Sequence, residues 1–383
     1  DTTRFDVGQG TLEYGYTGPD GTFDVTTSAS DSVSVRTRLA GLYGRIYNYS
    51  LGYATPALGA RMLPGTRRDF RWDDSNSRAS ERDAYFHVLL ARQALRELDP
   101  PFTALDYQMP IIVDVDIDDC NAYYDGFQLN FFGESTRCAN TARIADVVIH
   151  EYAHAITDHL YRPFAPSPAM AEGFSDYRAA SLTGQPLVGR GFHGPGTWLR
   201  TVDNTNRYPE DWTGEEHHDG LILAGALWDL RQAVGPGLAD TLQHYACYGG
   251  ADNYDDYFLD VLAADDDNGD LYDGTPHFDA IVDAFSAHGI GDYSVHITHT
   301  PLQDTEEIAK PLRVPATILS VFALEAASLE VRYAVDGGPW AALPLAPAGT
   351  GSRDYVASIP AQAAGSVVRY VLAASDVRGH TAL

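Results

Sequence analysis

Lysine is all but missing from this chain. Lys310 stands alone among 26 basic residues, the rest being arginine, against 53 aspartates and glutamates, and the formal net charge is −27. A chain so short of positive charge repels phosphate backbones, which argues against nucleic acid as a partner. Cysteine is nearly as scarce. Cys120, Cys138 and Cys247 show no C-x-x-C spacing, which argues against a thiolate metal site. No run of eighteen apolar residues occurs, so no membrane span is expected. Asp1-Thr2-Thr3 does not read as a signal peptide, and a mature or trimmed chain is the expectation. What the chain does have is 383 residues with 44% hydrophobic content, enough for two or three units with their own cores. Its acidity suits solubility outside the cell, calcium sites or a salty habitat alike.

The first third reads as β with one long helix. Leu12, Tyr14 and Tyr16 alternate, Gly18-Pro19-Asp20-Gly21 turns the chain, and Phe23 to Val25, Ser32 to Arg36 and Leu39 to Tyr47 follow as strands. Residues 50–77, rich in Gly, Pro and Arg, read as irregular loop. Ser80-Glu81-Arg82-Asp83 resembles a capping box, and Ala84, Val88, Ala91, Leu95 and Leu98 keep helical spacing up to Pro100-Pro101. Pro110 to Asp116 is a strand, and Phe127 to Phe132 is expected as an edge strand.

The chemistry concentrates in residues 146–176. His150-Glu151-Tyr152-Ala153-His154 reads H-E-x-x-H, and on a helix two histidines four apart project from one face and can grip one ion. A catalytic zinc keeps one corner for water and so needs a third protein ligand, for which Glu172 is the candidate. If that segment is helical, Asp176 lies one turn beyond Glu172 and can accept the outer N–H of a ligand histidine. Glu151 is then left as general base. H-E-x-x-H also occurs by chance on solvated helices. Here Val147, Val148 and Ile149 make the preceding turn apolar, and Pro163, Pro166 and Pro168 separate two helices.

HEYAHAITD followed by EGFSD resembles the gluzincin metallopeptidases, thermolysin-like and fungalysin-like, in pieces from about Asn121 to His277. The resemblance implies His150, His154 and Glu172 as zinc ligands, Glu151 as catalytic base and Asp176 as the partner of a ligand histidine. It also implies that Asn121 and Ala122, in Cys120-Asn121-Ala122-Tyr123-Tyr124, bond the substrate backbone as an added strand; a plain hairpin turn at Asp125-Gly126 is the alternative. Glu216-His217-His218-Asp219-Gly220 followed by Ala226-Leu227-Trp228-Asp229 resembles the fungalysin side. By that comparison His217, not His218, donates to the oxyanion, and Arg200 holds a substrate carbonyl. A surface ion pair for Arg200 and a loop role for the histidine pair remain open.

In an exported protein Cys120–Cys138 would be a disulfide and Cys247 a free, buried thiol; in a cytosolic one all three would be small core residues. The loop 265–274 offers Asp265, Asp267, Asp270 and Asp273 as oxygen ligands. It suits Ca²⁺ or plain solvation, although the EF-hand register fails. Thr275-Pro276-His277 has no evident role. From Pro301 short alternating runs separated by Gly- and Pro-rich turns give a β-sandwich pattern resembling Ig-like or fibronectin-like modules.

The expectation is an α+β protein: a thermolysin-like β-rich part (1–140) and a mainly helical zinc part (141–291), followed by an all-β sandwich (301–383). Its expected function is that of a secreted zinc endopeptidase with one catalytic Zn²⁺, acting on protein or peptide substrates, with a monomer favoured. The competing reading is a non-catalytic binding or adhesion protein whose zinc is structural; an aminopeptidase lacks any visible exopeptidase motif.

Overall fold

The computed structural model describes every residue except 1, 2, 10, 19, 29, 30, 118, 119, 270, 272–274, 292–294, 321, 350, 351 and 378. The chain divides into two compact units, residues 1–291 and 292–383. Among the described residues the first unit carries an eight-stranded sheet. Its strands are β1 (Thr3–Gln9), β2 (Thr11–Tyr16), β3 (Val33–Gly41), β4 (Gly44–Asn48), β5 (Ala57–Met62), β6 (Met109–Val115), β7 (Ala122–Tyr124) and β8 (Leu129–Phe132). They lie in the order β2-β1-β3-β4-β6-β8-β7, with β5 also paired to β3. Alternation in β3 buries Val33, Val35 and Thr37. β6 and β8 are parallel neighbours and fully or nearly fully buried, as strands covered on both faces are.

Four expectations change on contact with tertiary structure. The apolar run from Leu39 to Tyr47 is two antiparallel strands, β3 and β4, rather than one. Phe23 to Val25 is not a strand; its two large side chains pack onto Val33 and Val35 instead. The loop 50–77 contributes β5, because Leu58 and Met62 find a partner in β3. The edge is not at Phe127–Phe132: β8 pairs on both sides, and the three-residue β7 is the outer strand.

Helix α1 (Ala79–Leu98) is capped at Arg78, two residues before the expected Ser80, because Glu81 reaches back to accept the Arg78 N–H at 2.7 Å. α2 (Ala145–Tyr161) packs with α1 on the sheet through Val88, Ile111, Leu129, Phe131, Val148 and Tyr152. Then come α3 (Pro168–Thr183), the short pair β9 (Leu187–Val188) and β10 (Arg200–Thr201), α4 (Glu216–Val234), α5 (Pro236–Ala246), α6 (Tyr254–Asp265) and α7 (Phe278–Ala287).

In the second unit, β11 (His296–Thr298), β12 (Leu312–Leu319), β13 (Glu330–Val335), β14 (Ala341–Pro344), β15 (Ala346–Pro347), β16 (Asp354–Ile359), β17 (Val368–Ser375) and β18 (Thr381–Ala382) form two four-stranded sheets. Their orders are β11-β12-β16-β15 and β14-β13-β17-β18. Val314, Ala316, Ile318, Ala357 and Ile359 from one and Val331, Leu372 and Ala374 from the other share one core. The architecture is α+β. Among the described residues no helix is long and apolar enough to cross a membrane.

Candidate metal centre

A 3₁₀ turn (Thr141–Arg143) precedes α2, and its cap Asn140 accepts the Ala142 N–H at 3.1 Å and donates to Asp114 on β6 at 2.7 Å, which ties the approach to the helix against the sheet. One turn apart on its buried face, His150 and His154 bring their Nε2 atoms to 3.0 Å. The chain then turns through Pro163 and Pro166 into α3, whose first turn is capped by Ser167 and opened by Pro168. This return places Glu172 opposite the histidines, with Oε2 3.2 Å from His150 Nε2 and Oε1 3.3 Å from His154 Nε2. One ligand atom from each of the three residues lies within 4.8 Å of the others. Asp176, one turn further along α3 and fully buried, brings Oδ1 to 2.8 Å from His150 Nδ1.

The donor set fits a zinc ion. Two imidazole nitrogens and a carboxylate oxygen converge, and the buried Glu172 Oε2 has no hydrogen-bond partner of its own. The electrostatics agree. Burial alone would push the His150 imidazole down, but the Asp176 and Glu172 carboxylates outweigh it and hold its pKa at about 10. Burial would likewise raise the Glu172 carboxyl, and the two imidazoles hold it well below the usual range instead. A cluster that favours a proton on a buried imidazole is one that favours positive charge at that point.

Arg200, from β10, is not free to act on substrate alone. Its Nε and Nη2 both donate to the Asp176 carboxylate, the latter at 2.8 Å. Asp176 is thereby kept ionised against its own burial, by Arg200 first and His150 second. The sequence offered Asp176 as a partner of histidine and Arg200 as a substrate contact, but gave no sign that the two are joined.

α3 and α4 meet at two glycines. A Cβ on Gly173 would lie 2.7 Å from the Gly220 carbonyl oxygen, and one on Gly220 would lie 2.7 Å from that of Ala169. Only glycine permits such an approach. Glu172 directly precedes one of these glycines and His217 stands three residues before the other, so the contact delivers both to one cleft. His217 Nε2 is 3.6 Å from Glu172 Oε2, and its Nδ1 is 2.7 Å from Glu215 Oε1. Glu215 also accepts the His218 N–H at 2.8 Å, which caps α4 at its first residue, Glu216. His218 is turned towards Asp219.

The cleft, of about 520 Å³, is lined by Asn121 and by Ala122 to Tyr124 on β7, by His150, Glu151, His154 and Asp158 on α2, and by Glu172, Glu216 and His217. β7 pairs with β8 along one side only, and its partner register is Ala122 to Phe131. Asn121 is pinned from behind, since its carbonyl accepts from Phe132 N–H and from Thr141 Oγ1. Cys120, just before β7, is bonded to Cys138 in the loop leading to α2, and Cys247 is free and buried. Sequence reasoning missed Gly173, Gly220, Glu215, Glu216 and Asp158. The glycines were visible only as letters within E-G and H-x-x-G.

One carboxylate of the acidic loop, Asp265, has a partner of its own. Asp265 is buried and both its oxygens meet His277, at 2.6 Å from the backbone nitrogen and 2.7 Å from Nδ1. That contact gives His277 a structural role. Asp267 is exposed, and Asp270 and Asp273 lie outside the described residues. Among the described residues only the His150, His154 and Glu172 cluster has metal-binding geometry.

No protein-family profile matches the chain, and no curated protein does. Among solved structures it is similar to the precursor of protealysin, a metalloproteinase from Serratia proteamaculans, with a TM-score of 0.52 at 13% sequence identity. The likeness covers 70% of this chain and 91% of that one. The chain therefore shares a metalloproteinase fold.

Proposed function

We propose that this chain is a zinc-dependent endopeptidase acting outside the cell. The observation that carries the reading is the convergence of His150, His154 and Glu172 in one cleft with Glu151 and with the unpaired side of β7. Zinc, when bound, would supply Lewis acidity to the attacking water and the scissile carbonyl. His150, His154 and Glu172 would hold it, with Asp176 and Arg200 fixing the His150 ring. A peptide laid along β7 gains main-chain hydrogen bonds that orient it without regard to side chain, with Asn121 and Ala122 as the contact points. Glu151 takes the proton from the attacking water and passes it to the leaving amine. His217 donates from Nε2 to the developing oxyanion. Glu215 Oε1, 2.7 Å from Nδ1, holds the ring in place for that contact. Arg200 is bonded to Asp176 and is not among the residues lining the cleft, so its first role is to fix that carboxylate. Action outside the cell is supported by the Cys120–Cys138 bridge.

The test is zinc content beside peptide hydrolysis. Chelation is expected to abolish cleavage. Glu151→Gln is expected to abolish it with zinc retained, whereas His150→Ala, His154→Ala and Glu172→Ala lose the metal. A native chain that holds one zinc and cleaves no peptide in a mixed library would instead be a zinc-bearing scaffold.

A further inference from the structure

The cleft's charges do not balance, and the surplus sits on one residue. No lysine or arginine is among the described residues that line it; its carboxylates are Glu151, Asp158, Glu172 and Glu216. A bound divalent ion offsets Glu151 and Glu172. Asp158 is held by Arg162 at 2.6 Å and receives the Tyr124 hydroxyl at 3.3 Å. Glu215 lies outside the lining, with Oε1 2.7 Å from His217 Nδ1 and Oε2 accepting the His218 N–H at 2.8 Å. Glu216 remains: it stands on the cleft wall directly before His217, exposed, and its carboxylate has no hydrogen-bond or ion-pair partner among the described residues.

We infer that Glu216 is a specificity-determining residue that selects substrates with a basic side chain close to the scissile bond and disfavours acidic ones. The inference rests on the peptidase reading above. A peptide seated beside His217 displaces water from Glu216, so a lysine or arginine there gains a counter-charge while a glutamate meets an uncompensated like charge. The whole chain works in the same direction. A formal charge of −27 draws cationic peptides towards it and slows the approach of acidic ones, an effect that salt weakens. Glu216 is also the first residue of α4, where a carboxylate favours the helix N-terminus. That contribution alters stability but does not sort substrates by charge.

The experiment uses the zinc-loaded full chain and a peptide series identical except for one residue. Lys, Gln or Glu is placed in turn at the two positions on either side of the cleaved bond, and kcat/KM is measured at low and high salt. At the most sensitive position the order Lys, Gln, Glu is expected. Glu216→Gln should cut the Lys-to-Glu ratio on the order of 3–5-fold, as expected for an exposed pair, and Glu216→Lys should cut it further. Asp158→Asn should change it less, because Arg162 already occupies that carboxylate. High salt should narrow the native ratio towards that of Glu216→Gln. Equal ratios in the native and Glu216→Gln enzymes, or no preference for Lys over Glu at any position, would overturn the inference and leave the peptidase reading standing. If the zinc-loaded chain cleaves none of the peptides, both fall.

Discussion

His217 turns Nε2 towards Glu172 while Glu215, two residues earlier, meets its Nδ1 at 2.7 Å, which orients the ring for an oxyanion in the cleft. Removing one such donor costs on the order of 10²–10³ in rate. His217→Ala is therefore expected to lower kcat by about that factor with zinc content unchanged, and His218→Ala, whose ring faces Asp219, to do little. A large loss from His218→Ala instead would reverse the assignment. His244 offers a separate readout. It is buried with Nε2 2.9 Å from Asp99 Oδ2, yet burial and the nearby Arg178 push its pKa down to about 4. Its folded pKa thus lies below the ordinary value of 6.5, so as pH falls the unfolded chain takes up the proton first. Stability is lost between about pH 6.5 and 4, on the order of 3 kcal/mol at most for this one group. Urea melts across that range should show His244→Gln losing less stability on acidification than the native chain. The principal site residues were legible as letters, since H-E-x-x-H and the E-x-x-x-D of Glu172 and Asp176 each sit within one helix, where spacing dictates facing. Arg200 was not. Its partner is 24 residues away, and no local pattern reports which of several carboxylates a guanidinium will meet.

At the level of helices and strands, the contact between α3 and α4 decides whether Glu172 and His217 share a site. Gly173→Ala would gain helix propensity in isolation, by up to about 1 kcal/mol. Here the new methyl would meet the Gly220 carbonyl at 2.7 Å and Leu223 Cβ at 3.3 Å. The expected outcome is the opposite sign, a loss of roughly 1–3 kcal/mol and weaker zinc retention, because the helices must part. Thermal melts with and without zinc would check it; an unchanged or raised Tm would show that the helices yield without cost. Helices were readable from periodicity, but their starts were not: Glu81 and Glu215 each cap from positions that local patterns leave ambiguous. The edge strand was misassigned for a related reason. The apolar run Leu129–Phe132 is buried on both sides, as a central strand should be, whereas Ala122–Tyr124 pairs on one side only and carries little apolar signal.

For the molecule as a whole, every residue proposed for binding or chemistry precedes Gly291, and residues 292–383 carry a core of their own. A chain ending at Gly291 is expected to fold, hold zinc and cleave small peptides. A soluble truncation that is inert on them would mean the second unit completes the site. The outer strand carries one more consequence. An unpaired strand invites any extended chain, a second copy of the same protein included. With only three residues, and with the Cys120–Cys138 bridge at its approach and Asp125-Gly126 turning the chain away at its end, β7 offers a dock a few residues long. Such a length can grip a substrate around one bond but is too short to template the growth of a sheet between molecules, so the same brevity that limits the grip also guards against aggregation.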